Sequence, residues 1–361
     1  MDTHARLSPR RGLGLMTAVA AVALVAGQLA FASTGAATVG PTSVGVAIAP
    51  PSDAGSSPGA VAAAVACAAP GSCFQVGTYV DAGGYTRPSL GVITDGNAEQ
   101  TFSLSTYIPS NGLTTPSNDY LSAISCPNVG QCEAVGSYQL TAGGSGGYAL
   151  EWDNFGDYYI PNSSIQQITL PLDSASPPQA ALYGISCTTI GNCVAVGTYN
   201  DNGVGHVPLV AVQTNGTWAT AFTPASEPAG FSTGTLSAVS CPSASNCVAV
   251  GTINTSSGGQ AIYYEENAGI WQSSPTVVPL PNDKASSNPF GKLNAVSCVS
   301  PGTCEAVGSY YNSTASTEPL TVQQVAGAWQ ASGTVALPGD AVSPADGELY
   351  GVSCITNRRA V

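Results

Sequence analysis

Leu182-Tyr-Gly-Ile-Ser-Cys187, the turn Thr188-Thr-Ile-Gly-Asn192 and then Cys193-Val-Ala-Val-Gly-Thr-Tyr199 form a stretch whose two halves each occur five times in this chain. Two runs of small, β-branched and aromatic residues flank a glycine-containing turn, which reads as strand, turn, strand. The first half returns as Leu121-Ser-Ala-Ile-Ser, Leu236-Ser-Ala-Val-Ser, Leu293-Asn-Ala-Val-Ser and Leu349-Tyr-Gly-Val-Ser, each followed by cysteine. The second half returns as Gln75-Val-Gly-Thr-Tyr, Ala134-Val-Gly-Ser-Tyr, Ala249-Val-Gly-Thr-Ile and Ala306-Val-Gly-Ser-Tyr.

The cysteines fix the period. Cys67 and Cys73, Cys126 and Cys132, Cys187 and Cys193, Cys241 and Cys247, and Cys298 and Cys304 each enclose five residues, and successive first cysteines lie 59, 61, 54, 57 and 56 residues apart. One member of each pair ends a strand and the other begins the next. In an antiparallel hairpin they face each other at a Cα separation of roughly 4.5–5.5 Å, which suits a disulfide. Each cysteine is therefore expected to pair with the one six positions on, closing a small loop whose chain-entropy contribution is about 2 kcal/mol. Zinc sites favour closer Cys or His pairs and redox centres favour Cys-x-x-Cys. Neither spacing occurs here, and His206 is the one histidine beyond the leader. No metal and no cofactor is expected. Cys354 opens a sixth unit, and six positions on stands Ala360. That pattern reads as a longer array cut short, with ring closure against the first unit as the other reading.

Further on in each unit a Gly/Ser/Asn-rich loop leads to a third strand such as Leu209-Val-Ala-Val-Gln213. Gly216-Thr-Trp218, Gly269-Ile-Trp271 and Gly327-Ala-Trp329 then open a fourth, with Gly156-Asp-Tyr158 as a variant. A lone unit of this size with few large apolar side chains is marginal, so units gain by packing on one another. The expected fold is all-β: a β-propeller of four-stranded antiparallel blades, five full repeats plus a partial sixth, over residues 61–361. The tryptophans are expected between blades. A string of separate small β domains is the alternative.

Ahead of the repeats, residues 1–32 read as a signal peptide: Arg6, Arg10 and Arg11, an apolar run from Leu13 to Ala26, and the small-x-small exit Ala30-Phe-Ala32. A retained membrane anchor is the alternative, and the Arg10-Arg11 pair leaves the Sec and twin-arginine routes both open. Residues 33–60, mostly Ala, Gly, Ser, Thr, Pro and Val, read as a flexible spacer. The expected location is secreted, extracellular or envelope-associated, where disulfides persist, and the expected state is a monomer.

Composition agrees with many short strands and turns. Charged residues are 8%, hydrophobic residues 43%, with 42 glycines and 26 prolines. The net charge is −13, and five basic against twenty acidic residues follow residue 32. Such a surface repels phosphate backbones and argues against nucleic-acid binding.

The Leu-x-x-Val-Ser-Cys-x5-Cys-x-Ala-Val-Gly-x-Tyr…Gly-x-Trp pattern resembles secreted actinobacterial repeat proteins that form β-propellers. The Gly-x-Trp turn is also similar to the Asp-box of sialidase-type propellers, without its aspartate. The resemblance implies a fold and a compartment, and no catalytic residues.

The residues themselves single out no chemistry. A sialidase-like arginine cluster would need more than Arg87, Arg358 and Arg359. A Ser-His-Asp site would have to use His206, which reads better as a loop histidine. Glu265-Glu266 and Asp153 could serve a glycosidase, but they fall in non-matching unit positions. Asp201 in Asn-Asp-Asn-Gly reads as a turn rather than a calcium loop. Sequons stand at Asn162, Asn215, Asn254 and Asn312. No residue is assigned a catalytic role.

Chain geometry adds one inference. In a four-stranded meander the cysteine and Gly-x-Trp turns share one face. The second-to-third-strand loops and the connections between units share the other, and these vary. They carry Tyr85, Arg87, Asp119, Tyr120, Asp201, His206, Asp283 and Glu318. Loops on a rigid scaffold carry function. This face is expected to bind an extracellular glycan or protein. A carboxylate hydrolase and a passive structural array are the alternatives.

Overall fold

The structure, a computed structural model, describes residues 48–95, 97–115, 117–152, 164–224, 230–330, 332–341 and 346–355. The signal peptide, the spacer up to residue 47, Asp153, Gly156-Asp-Tyr158, Asn162, Arg358 and Arg359 lie outside the described residues. Five antiparallel sheets follow one another along Gly45–Val361. Their innermost strands are Val61–Ala69, Tyr120–Asn128, Ala180–Thr189, Phe231–Ser243 and Lys292–Ser300. Blade 3 shows the plan: Ala180–Thr189, Asn192–Asn200, His206–Thr214 and Thr217–Trp218 pair in chain order. In blades 4 and 5 the fourth strand is split, as Ile270–Trp271 with Thr276–Val277 and as Ala328–Trp329 with Gly333–Thr334. This is the β-propeller architecture read from the repeats.

The sequence of the second strand explains why blades need neighbours. Val194-Ala-Val196 is buried on both faces. Alternate side chains of a strand point opposite ways. Val194 and Val196 join Leu236, Val239 and Ile253 of blade 4. Ala195 and Tyr199 join Val135 and Ala149 of blade 2. The same sharing places Phe74 and Leu90 against Leu121 and Tyr138, and Val248 and Tyr263 against Leu293 and Tyr310. Every apolar cluster thus lies between two blades. The tryptophans follow: Trp218 belongs to the cluster of blades 2 and 3, and Trp329 packs against that of blades 4 and 5.

All five hairpin disulfides are formed as expected. Cys67 is bonded to Cys73, Cys126 to Cys132, Cys187 to Cys193, Cys241 to Cys247 and Cys298 to Cys304. Cys354 is free. The Cα separations are 4.0 to 4.1 Å, shorter than the roughly 4.5–5.5 Å expected of opposed residues in a regular ladder. The ladder is not regular there. Cys73 faces Cys67 and Cys304 faces Cys298, and in both blades the register shifts immediately beyond the pair. Near Cys132 the register shifts between Ser125 and Asn128, so Cys126 and Cys132 sit inside the irregular stretch. The disulfides are also less peripheral than a turn position suggests. Cys132, Cys193, Cys247 and Cys304 are buried and belong to the four apolar clusters, whereas Cys73 in blade 1 is half-buried.

Further along each inner strand lies a bulge. Leu182 faces Gly197 and Gly184 faces Val196, so Tyr183 has no partner across the ladder. Ser122 is skipped in the same way. The recurring glycine belongs to this geometry. A Cβ on Gly136 would stand 1.8 Å from the Tyr120 carbonyl oxygen, and one on Gly197 would stand 2.0 Å from that of Ala181.

Inner strands are keyed to one another by serine. In blades 2, 3 and 4 the hydroxyl before the first cysteine accepts the N–H of the next blade's first cysteine: Ser125 from Cys187, Ser186 from Cys241 and Ser240 from Cys298, each at 3.0 Å. Ser297 accepts from Cys354 at the same distance, and Asn294 Nδ2 donates to the Leu349 carbonyl at 2.7 Å. Residues 346–355 therefore lie where the inner strand of a following blade would lie. At the other end, Val65 of blade 1 is 60% exposed, whereas its equivalents Ile124 and Ile185 are 8% exposed beneath a preceding blade.

The connections between blades share a Pro-x-Asp/Asn element that the motif columns did not reveal. The buried tyrosine of the second strand donates to its acid or amide: Tyr79 to Asp53 at 2.8 Å, Tyr138 to Asn111 at 2.9 Å, Tyr199 to Asp173 at 2.9 Å and Tyr310 to Asp283 at 2.8 Å. Blade 4 has Ile253 in the tyrosine's place, and Pro224-Ala-Ser before it lacks the acid. Asp53 falls within the segment read as spacer. Gly55 N–H bonds the Val80 carbonyl at 2.9 Å, so residues 48–60 lie against blade 1.

Gly136→Ala is expected to cost about 3 kcal/mol or more in urea unfolding. Gly339→Ala, whose added Cβ meets nothing within 4 Å, is expected to leave the midpoint unchanged.

Candidate functional site

On the variable face most of the expected polar residues are committed within the protein. Arg87 is 3% exposed. Its Nε pairs with Asp81 Oδ2 at 2.7 Å, and Nη1 donates to Ser117 Oγ and the Thr114 carbonyl. The Tyr85 ring lies 5.3 Å from the guanidinium carbon. Asp119 is fully buried and accepts from Ser117 Oγ and the Gln139 N–H. Burial pushes its carboxyl up. Asp201 caps its own loop by accepting from the N–H groups of Gly203, Val204 and Gly205, and these hold its carboxyl below the usual range against burial. Asp283 takes the Tyr310 hydroxyl, and Glu318 accepts from Asn312 Nδ2 at 2.8 Å.

Tyr120 and His206 are different. They come together in an open cleft of about 420 Å³ between blades 2 and 3, also lined by Tyr183, Gln139, Gln179 and Ser145. Tyr120 begins the inner strand of blade 2 and His206 begins the third strand of blade 3. Tyr183 is the bulge residue of blade 3, and a bulge re-aims its side chain. Sequence reading missed it. The available signal was its column, which runs Ala63, Ser122, Tyr183, Ser237, Asn294 and Tyr350 between otherwise uniform neighbours. The two phenols share a hydrogen bond, and burial, then the neighbouring Tyr183, pushes Tyr120 up to about 12. Both stay neutral at physiological pH. Among the described residues, no carboxylate lines the cleft.

Carboxylates instead gather inside the interfaces. Glu133 of blade 2 is fully buried and accepts from Trp218 Nε1 at 3.1 Å and Gln213 Nε2 at 3.0 Å, both of blade 3. Glu265 of blade 4 accepts from Trp329 Nε1 and Gln324 Nε2 of blade 5, each at 2.7 Å. Burial, and then the Glu151 carboxylate across the strand pair, raises Glu133 to about 8. Cys193 Sγ sits 3.2 Å from Glu133 Oε2 and, being in a disulfide, has no proton to give. The neutral carboxyl is the form that suits this contact. Glu133, Cys187 and Cys193 place three ligand-type atoms within 4.8 Å, but the two sulfurs are bonded to each other. That group offers no thiolate to a metal.

No family model matches the chain. No curated protein matches it either. Among solved structures, it is similar to the BP39L lectin from Burkholderia pseudomallei at 14% identity, covering 76% of this chain and 69% of that one with a TM-score of 0.44. The fucose-specific lectin from Aleuria aurantia matches at 12% identity, 76% and 78% coverage and a TM-score of 0.38. The Hadza microbial sialidase Hz136 matches at 11% identity and a TM-score of 0.47, with 81% of this chain and 60% of that one covered. Likeness of this degree assigns neither ligand nor chemistry. The kinship with actinobacterial repeat proteins gains no support from these comparisons.

Because the folded carboxyl of Glu133 lies well above the ordinary 4.5, its contribution to stability is full below about pH 4.5 and is lost as pH rises through about 8. Melting of the native chain is expected to fall between pH 5 and 9, and Glu133→Gln is expected to flatten that slope. An unchanged slope in the variant would show that Glu133 is ionised throughout.

Proposed function

We propose that the chain is an exported, extracytoplasmic binding protein that holds a glycan in the cleft between blades 2 and 3. One observation carries the reading: two tyrosines, an imidazole and two carboxamides line an open cleft in which no described residue is a carboxylate. Aromatic rings pack on the apolar faces of sugars, and carboxamides and phenols exchange hydrogen bonds with hydroxyls. The cleft's size suits a small ligand. Five closed disulfides fit an oxidising compartment outside the cytoplasm. A protein partner on the same face is the second form of this reading, and the kinship with secreted actinobacterial repeat proteins rests on the motif columns alone.

The hydrolase alternative has less in its favour. Glycoside hydrolysis needs two carboxyl groups flanking an accessible substrate. Glu133 and Glu151 are paired across adjacent strands, but Glu133 is fully buried beneath Trp218 and Gln213. A passive array would leave the Tyr183 cleft without a purpose.

A glycan array on the folded chain, followed by calorimetry on the best ligand, tests the proposal. Tyr183→Ala and His206→Ala are each expected to weaken binding about tenfold or more, equivalent to roughly 1.4 kcal/mol. Asn128→Ala, at a disulfide turn, is expected to leave it unchanged. Binding that survives both cleft substitutions and fails in the turn variant would overturn the reading.

A further inference from the structure

Between blades 3 and 4, on the face of the disulfide turns, lies a second cleft of about 160 Å³, lined by Asn192, Gln213, Thr214, Ser243, Ser245 and Glu266 among others. Glu266 is 7% exposed, and its Oε2 has no hydrogen-bond partner among the described residues. Gln213 turns its amide away from this cleft, to Glu133 of blade 2. A buried carboxyl oxygen left unmatched is costly.

The neighbouring interfaces show what is missing here. Gln213, Glu266 and Gln324 occupy one column, each five residues before a Gly-x-Trp tryptophan and paired with it across the ladder. At the other two interfaces the amide and the indole both serve a carboxylate of the preceding blade. Blade 3 provides Val194 and Val212 where blade 2 has Glu133 and Glu151 and blade 4 has Val248 and Glu265. At this interface the acid stands on the following blade instead of the preceding one. Trp271 Nε1 is buried without an acceptor, and Glu266 Oε2 without a donor.

We propose that this cleft binds a primary ammonium group, with Glu266 as its counter-ion. Among the described residues the cleft has a single titratable group, since its three cysteines are held in disulfides. One negative charge balances one ammonium. The three N–H donors of that group meet the Glu266 carboxylate and the hydroxyls around it. A divalent cation would ask for more charged oxygens than one carboxylate supplies. The volume admits an ammonium head on a short alkyl stem. Burial raises the Glu266 carboxyl, so the site binds more tightly as pH rises and the acid ionises. This site lies on the opposite face from the Tyr183 cleft and does not depend on it.

Titration calorimetry of the full chain with n-butylammonium, n-butanol and calcium tests the assignment, alongside Glu266→Gln. The variant puts into blade 4 the residue that blades 3 and 5 already carry, so it is expected to fold with an unchanged or higher melting temperature. The native chain is expected to bind n-butylammonium saturably, more tightly at pH 8 than at pH 5, and to bind neither n-butanol nor calcium. Glu266→Gln is expected to weaken that binding at least tenfold. Nα-acetyl-lysine methylamide separates the sources: binding equal to that of n-butylammonium indicates a lysine side chain, and binding of n-butylammonium alone indicates a free amine. Equal binding by the variant, or calcium in place of the amine, would overturn the proposal, as would no saturable binding at all.

Discussion

Among the described residues, no blade of this protein has a core of its own. Each apolar cluster lies between two sheets, because the second strand sends Val194 and Val196 one way and Ala195 and Tyr199 the other. Burial of apolar area is the main favourable term in folding, so that term exists here only when blades stand side by side. The other recurring features place the inner strands. The glycine of the Val-Gly-x-Tyr run lets the bulged inner strand lie against it. The serine before the first cysteine then fixes where the next inner strand sits. Each such hydrogen bond contributes about 1 kcal/mol net, less than the apolar cluster beside it but with a direction that apolar contact lacks.

The polar layer between blades follows a second rule, a carboxylate on one blade clasped by an amide and an indole on the next. It works between blades 2 and 3 and between blades 4 and 5. It fails between blades 3 and 4, where valines replace the acid and Glu266 replaces the amide. On the other face, the bulge position breaks uniformity through Tyr183. Both candidate binding clefts thus occur where a repeating element departs from its pattern. A repeat lets structural demand be read from the copies and leaves the exception to be explained by something else.

The fold was legible because its determinants are local. A cysteine six residues from its partner, a glycine two residues after alanine and a tryptophan after a glycine turn each declare a hairpin without distant information. The burial of Cys132 and Cys304 was not legible in the same way, since it comes from the neighbouring blade and not from the hairpin. The Pro-x-Asp clasp of Tyr199 by Asp173 was harder to see, because its halves lie 26 residues apart with dissimilar sequence between them in each blade. The variable loops could be assigned to one face from the meander, but their residues could not be sorted. Arg87 and Asp119 read as surface groups until the structure turns them inward toward Asp81 and Ser117. Burial of a loop residue depends on how the loop closes, which composition does not encode. Tyr183 escaped notice because a bulge changes the direction of a side chain without changing the residues around it.

Native-state hydrogen exchange on the chain and on Leu236→Ala tests most directly whether cores are shared. Leu236 is fully buried in the cluster of blades 3 and 4, and its truncation costs roughly 2–5 kcal/mol. Shared cores predict faster exchange in the second strands of both blades, Asn192–Asn200 and Asn246–Thr255. Acceleration confined to blade 4 would mean that each sheet is stable alone, and would contradict the account.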